Sequence, residues 1–313
     1  MSKNQEVAMR DAFGKALLEL ADTNPQMVVL DADVSSSTQT IHFGKKYPER
    51  FFNVGVAEAN MVDVAGGMAT CGLHPVVSTF AIFLTLKATD QIRNVLCYNN
   101  LSVILVGGYA GLSDSFDGAS HQSLTDLAVM RAMPNMKVLV PADAVEMKQA
   151  LRIALKEEGP VYIRASRNPT PLLFENQSAM EIGKARKIRD GKDLSIAVCG
   201  VPTFMAMEAA EKLESKGIAV DLLNISTLKP LDEEAIIESV SKTGKILCIE
   251  EHSVIGGLGS AVAEVLTKEG FGKMDSIGIQ DEFTETGPYM ELLEKYGISV
   301  SAITEKATQL IVK

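Results

Sequence analysis

Short apolar runs rich in branched side chains alternate along the first half of this chain with longer stretches in which apolar residues recur every three or four positions. MVVLDA (27–32), SVILVGG (102–108), MKVLVPA (136–142) and PVYIRAS (160–166) are apolar at successive positions, as strands covered on both faces are. Amphipathic patterns such as DAFGKALLELADT and DAVEMKQALRIALKEE separate them. This alternation predicts an α/β fold, a doubly wound and mainly parallel sheet occupying residues 1–170. Over 171–192 the periodicity dissolves into turn formers and charges, which predicts a surface linker. It resumes at Leu194 as LSIAVCG, FMAMEAAEKLESKG, IAVDLLN, DEEAIIESVSKTG, KILCIEE, GGLGSAVAEVLTKEG and MDSIGI, a second, smaller α/β domain over 193–313.

Composition narrows the class. A chain of 313 residues that is 46% hydrophobic can bury two cores. Its formal charge of −10 and lack of any basic cluster argue against a nucleic-acid partner, which needs positive charge to displace counterions. No apolar run reaches the ~18 residues of a membrane span, and the opening MSKNQEVAMRDAFG has no secretory apolar core, so the expected location is cytoplasmic. Cys71, Cys97, Cys199 and Cys248 are widely spaced, without CxxC or Cys/His pairing, and predict reduced thiols rather than a disulfide or metal site.

Four features carry candidate chemistry. Glu58 stands at the mouth of a helix otherwise built from apolar and small residues, AEANMVDVAGGMATCG. Desolvating a carboxylate is costly, so Glu58 should be held by a specific partner, shifted in pKa, or both. The bland alternative is a first-turn acid complementing the helix dipole, worth ~0.3–1 kcal/mol. Gly66 and Gly67 would each cost ~1 kcal/mol in helix propensity, which points to close packing. Phe80 and Phe83 share a helix face if that segment is helical, and follow a strand-like PVVST where a flat heterocycle can pack, although two such aromatics are more often core. The loop GLSDSFDGASHQ presents Asp117 and His121 after a strand end, where neutral imidazole suits proton transfer or hydroxyl recognition, with a plain surface histidine as the alternative. Ser37 and Arg167 also follow strand ends and together would suit a phosphate or sulfonate. Arg164 lies deeper in its strand and reads as structural. GGLGSAV at 256–262 lacks the third small residue of a dinucleotide turn and reads as a helix start.

VGVAEANM, STFAIF, DGASHQ, PNMKVLVPADAVE, ASRN, IEEHSVIGGLGSAVAEVL and DEFTETGPYMELLEKYGI, in this order over essentially the whole chain, resemble the C-terminal half of a transketolase, as found in enzymes split into two subunits. The resemblance implies the pyrimidine-binding thiamine-diphosphate fold followed by a transketolase-type C-terminal domain. By position, Glu58 corresponds to the glutamate that hydrogen-bonds the cofactor's aminopyrimidine and activates it, Phe80 and Phe83 to aromatics packing on that ring, and Asp33 to an acid near the cofactor. Asp117 and His121 correspond to contacts with donor hydroxyls, His121 also to a proton-transfer group, and Ser37 and Arg167 to part of the sugar-phosphate clamp. His252 falls in the terminal domain and reads as structural or interfacial.

No GDG motif is present, the feature that in this family holds the diphosphate of thiamine diphosphate through Mg2+ or Ca2+. The resemblance therefore implies an N-terminal partner subunit carrying that site, an α2β2 heterotetramer, and no metal on this chain. Three departures bear on the sugar. Phe116 replaces an acid in GEDGASHQ, Tyr109 a histidine at a substrate contact, and Leu86 a third aromatic. The expected reaction moves a two-carbon ketol unit from an anionic ketose to an aldose. The alternatives are a 2-oxoacid dehydrogenase beta chain, a deoxyxylulose phosphate synthase, and a non-catalytic regulatory module of the same fold.

Overall fold

A seven-stranded sheet organises the first domain in the computed structural model, which describes residues 5–174 and 180–312. Its order is Thr227–Lys229, Lys137–Leu139, Val161–Arg164, Ile104–Gly108, His74–Phe80, Met27–Asp31 and Phe51–Asn53. All neighbours run parallel except the first pair. The register lines up Val29, Val76, Ile104 and Val161 in one buried row across four strands. Met27 and Val29 enter one apolar core while Val28 and Leu30 enter the other, the consequence of period-two side chains in a sheet covered on both faces. The α/β class and mainly parallel sheet expected from the apolar runs are present.

The second sheet runs Lys273–Ile279, Lys245–Ser253, Leu194–Val198, Val220–Asn224 and Arg186–Arg189, parallel except for the last strand. Arg186–Arg189 falls in the stretch expected to be linker. An edge strand with a single apolar residue, Ile188, shows no hydrophobic alternation, and its charges suit an edge. Residues 175–179 of that stretch lie outside those described. The domains interlock, because Thr227–Lys229 leaves the second domain to pair antiparallel with Lys137–Leu139 of the first sheet. Beneath this joint the buried Glu146 accepts from Ala142 N at 3.0 Å, from the Ser226 hydroxyl at 2.8 and 2.9 Å and from Asn224 Nδ2 at 3.2 Å. Burial pushes its carboxyl above the ordinary range.

Helix ends follow local chemistry. Asp143 caps Ala144–Ala154 by accepting from Glu146 N at 2.8 Å, and Gly244, at φ 72°, closes Glu233–Thr243 where a left-handed residue is needed. In the helix Glu58–Thr70, a Cβ on Gly66 would lie 2.4 Å from Val95 Cγ1, so close packing holds there. Gly67 has open space within 4 Å and is exposed, so within this chain the packing expectation fails at that position. No helix among the described residues is long and apolar enough to cross a membrane.

Candidate active site

Glu58 is the first residue of its helix and is only 5% exposed. Lys87 Nζ donates to its Oε1 at 3.0 Å, while its second oxygen receives no hydrogen bond from the described residues. Lys87 is the specific partner that desolvation demanded, and sequence reading did not single it out. The signal was available, since Lys87 follows Phe83 by four positions in the helix Ala81–Lys87 and its ammonium lies 4.2 Å from that ring's centroid. The lysine is 49% exposed, so this pair contributes ~1 kcal/mol or less, too little to explain burying a carboxylate for stability alone.

Phe80 ends the strand His74–Phe80 and Phe83 lies one turn into the following helix. Their centroids are 5.9 Å apart with planes at 22°, and Tyr109 also stacks on Phe80 at 4.3 Å and 19°. His121 meets Phe83 edge-on at 5.0 Å and donates to or accepts from Ser120 Oγ through Nδ1 at 2.9 Å. The chain thus brings Phe80, Phe83, Tyr109 and His121 into one contiguous group, to which Lys87 joins Glu58. Tyr109 adopts φ 59°, a left-handed conformation costing a non-glycine residue ~1–2 kcal/mol. Its side chain is held from two directions. Arg10 Nη1 donates to its hydroxyl at 2.6 Å and Arg167 Cζ lies 4.9 Å from its ring centroid.

Arg167 also pairs with Asp114 at 3.1 Å. Asp114 is fully buried, its Oδ2 has no partner, and burial together with neighbouring Asp117 pushes its carboxyl up to about 7 against the pull of Arg167. Asp114 and Arg10 were missed because one looks like a loop acid and the other like a first-turn surface residue. Asp117 is exposed in the same loop, beside the exposed Phe116. Leu86 is also exposed.

No hydrogen bond joins Ser37 to Arg167 among the described residues. Ser37 is half-buried in the turn Ser35–Thr38, and Asp33 is exposed with φ 66°, accepting from Asn53 Nδ2 at 3.0 Å. Neither makes a hydrogen bond, ion pair or ring contact with the aromatic group among the described residues. The buried acid of that strand end is Asp31, whose carboxylate accepts from Val34 N and from the Thr38 and Thr40 hydroxyls at 2.7–2.8 Å and so shapes the turn that carries both. His252 is buried and donates through Nδ1 to Ser253 O at 2.7 Å. Arg164 is structural, paired with the buried Asp126 at 2.8 Å.

The fold is a parallel α/β domain carrying a buried acid and an aromatic stack, followed by a smaller α/β domain. Residues 5–171 match the transketolase pyrimidine-binding domain and residues 183–303 the transketolase C-terminal domain. The chain belongs to the transketolase family, as a C-terminal transketolase-type subunit, and membership implies dependence on thiamine diphosphate. A relative from Methanocaldococcus jannaschii described as a transketolase C-terminal section is 42% identical over 301 residues, 95% of this chain and 94% of its own. A 6-deoxy-6-sulfo-D-fructose transketolase subunit from a Clostridium species is 37% identical, covering 98% and 96%. The 1-deoxy-D-xylulose-5-phosphate synthase of Carboxydothermus hydrogenoformans is 35% identical over 98% of this chain but only 49% of its own length. Among solved structures, a split-gene transketolase described as an inactive beta4 tetramer superposes with TM-score 0.89 at 43% identity, covering 98% and 99%. A Pichia stipitis transketolase, TM-score 0.83 at 20% identity over 99% of this chain and 46% of its own, shares the fold.

Proposed function

We propose that this chain is the C-terminal subunit of a thiamine-diphosphate transketolase that moves a two-carbon ketol unit from an anionic ketose to an aldose, working only with an N-terminal partner. The observation that carries this reading is the second oxygen of Glu58, free of hydrogen bonds from the described residues, on a carboxylate that Lys87 ties to the Phe83 ring of the Phe80–Phe83 stack. An acceptor in that position fits a ring nitrogen of the cofactor's pyrimidine, and the stack fits its flat face. Thiamine diphosphate, when bound, supplies a carbon acid able to cleave and remake the bond next to a ketose carbonyl. Glu58 holds the pyrimidine and its proton, Phe80 and Phe83 orient it and exclude water, and Asp117 and His121 receive the donor hydroxyls, with His121 passing protons. Arg10 and Arg167, flanking Tyr109, offer two guanidinium groups to the donor's anionic end, whether phosphate or sulfonate. Asp33 and Ser37 belong to the rim of the site in this reading.

The diphosphate and its Mg2+ or Ca2+ are assigned to the partner, because the sequence carries no GDG motif. Exposed Leu86 and Phe283 line a groove of about 490 Å³ next to the site, apolar surface suited to a subunit interface. The solved neighbour described as an inactive beta4 tetramer supports dependence on a second chain. We assign an α2β2 assembly in the cytoplasm. The second reading is a deoxyxylulose phosphate synthase subunit, favoured by the 35% identical relative of that name. Calorimetric titration of thiamine diphosphate with Mg2+ into the chain alone and into its mixture with the partner tests the division of labour. Tight binding is expected only in the mixture, and tight binding by the lone chain refutes it. Ketol transfer from ketose phosphates, against consumption of pyruvate, separates the two chemistries.

A further inference from the structure

The loop 109–123, which carries Tyr109, Asp114, Asp117 and His121, contains no helix or strand, only bridges joining Ala110 and Gly111 to Ser123. Its hydrogen bonds to the second domain fall near its start, middle and end, at Leu112, Ser115 and Gln122. Glu251, buried on the strand Lys245–Ser253, accepts from Leu112 N through Oε1 at 2.7 Å and from the Tyr289 hydroxyl through Oε2 at 2.9 Å. Gly111 has φ 67°, and a Cβ there would lie 2.3 Å from Glu251 Oε1, so this carboxylate is pressed flat against the loop backbone. Gly287 N donates to Ser115 O at 3.1 Å, Gln122 Nε2 donates to Glu285 O at 3.0 Å, and the Thr284 hydroxyl donates to Gln122 Oε1. Gly118 turns at φ 77° against Thr286. At the closing end, Arg164 Nη2 donates both to Ser123 O at 3.1 Å and to the backbone carbonyl of Glu251 at 2.9 Å.

We propose that the C-terminal domain is the positioning template of the donor-facing loop, and that Glu251 is its principal positioning residue. Glu251 touches no substrate in this scheme. A loop without internal secondary structure has many accessible conformations, and the carboxylate, fixed by Tyr289, selects the one in which Leu112, and with it Asp114 to His121, face the aromatic stack. The inference rests on the reading that Asp117 and His121 receive the donor.

The test compares Glu251→Ala, Glu251→Gln and Tyr289→Phe in the complex with the N-terminal partner. Glutamine keeps a carbonyl acceptor for Leu112 N and so is the conservative control. For Glu251→Ala, the KM for D-xylulose 5-phosphate is expected to rise roughly 10–100-fold, as for a displaced binding group, with kcat affected less and the thiamine diphosphate dissociation constant unchanged. Amide hydrogen exchange should quicken selectively over 110–123, and Glu251→Gln should restore most of both. Tyr289→Phe, which removes one hydroxyl, should show the same pattern more weakly and stands in if Glu251→Ala does not fold. Unchanged donor KM and unchanged exchange over 110–123, or equal losses in all parameters without rescue by glutamine, overturn the proposal. A wild-type complex with no ketol transfer from any ketose phosphate refutes the functional reading instead. The exchange comparison needs no substrate and still decides the template.

Discussion

Glu58 and Glu251 are both buried carboxylates, and they are finished in opposite ways. Glu251 has a donor on each oxygen, Leu112 N and Tyr289 Oη, and lies beside the buried Arg164–Asp126 pair, to which Tyr162 adds a hydroxyl at 2.8 Å. Glu58 has one half-exposed lysine on one oxygen. An oxygen without a protein donor on a carboxylate that is only 5% exposed is open to a hydrogen-bond donor from outside the chain. In the proposed reading, the contrast separates an acid that completes the fold from one that is completed by the cofactor. Electrostatics agree at the finished end: burial pushes Glu251 up to about 7 while Arg164 pulls it down, and Asp126 is held below its usual value, because Arg164 and nearby groups outweigh its burial.

Breaking the finished end should give the largest effect. Arg164→Met strands Asp126 without its counter-ion and should destabilise the chain by ~3–5 kcal/mol, read from urea denaturation; a loss under about 1 kcal/mol, no more than an exposed pair, would show that the buried pair is dispensable. Breaking the open end should leave the fold alone. Glu58→Gln in the mixed complex should lower turnover roughly 10²–10⁴-fold while the denaturation midpoint barely moves, and retained turnover would remove Glu58 from its role.

The pH dependence sharpens the comparison next. Asp114 and Glu251 are both raised to about 7 in the folded chain, so the native state holds protons that the unfolded state has released. Stability contributed by these groups therefore falls as pH rises from about 4 through about 7 and is flat above. Urea midpoints at pH 5 and pH 8 should differ in that sense, and Asp114→Asn, neutral throughout, should flatten part of the slope; an unchanged slope would mean Asp114 titrates normally. The smallest effect belongs to Lys87→Met, expected to change stability by ~1 kcal/mol or less and to leave Glu58 buried. A collapse of stability there would make Lys87 a structural partner rather than a replaceable one.

Much of this molecule was legible without coordinates. The continuous branched runs fixed the parallel sheet, since only strands covered on both faces need apolar residues at every position, and the order of motifs singled out Glu58, Phe80, Phe83 and His121 as candidates. Arg186–Arg189 and Thr227–Lys229 were not visible, because an edge strand pairs on one side only and carries little hydrophobic pattern. Lys87, Arg10 and Asp114 were also missed, being ordinary surface or loop types until packing brings them to Glu58, Tyr109 and Arg167. Residue type and local period thus determined which segments become strands and helices and which residues carry the candidate chemistry. Only the tertiary structure decided which carboxylate is completed and which is left open, because a donor's distance depends on chain segments far apart in sequence, such as Leu112 and Glu251, meeting in space.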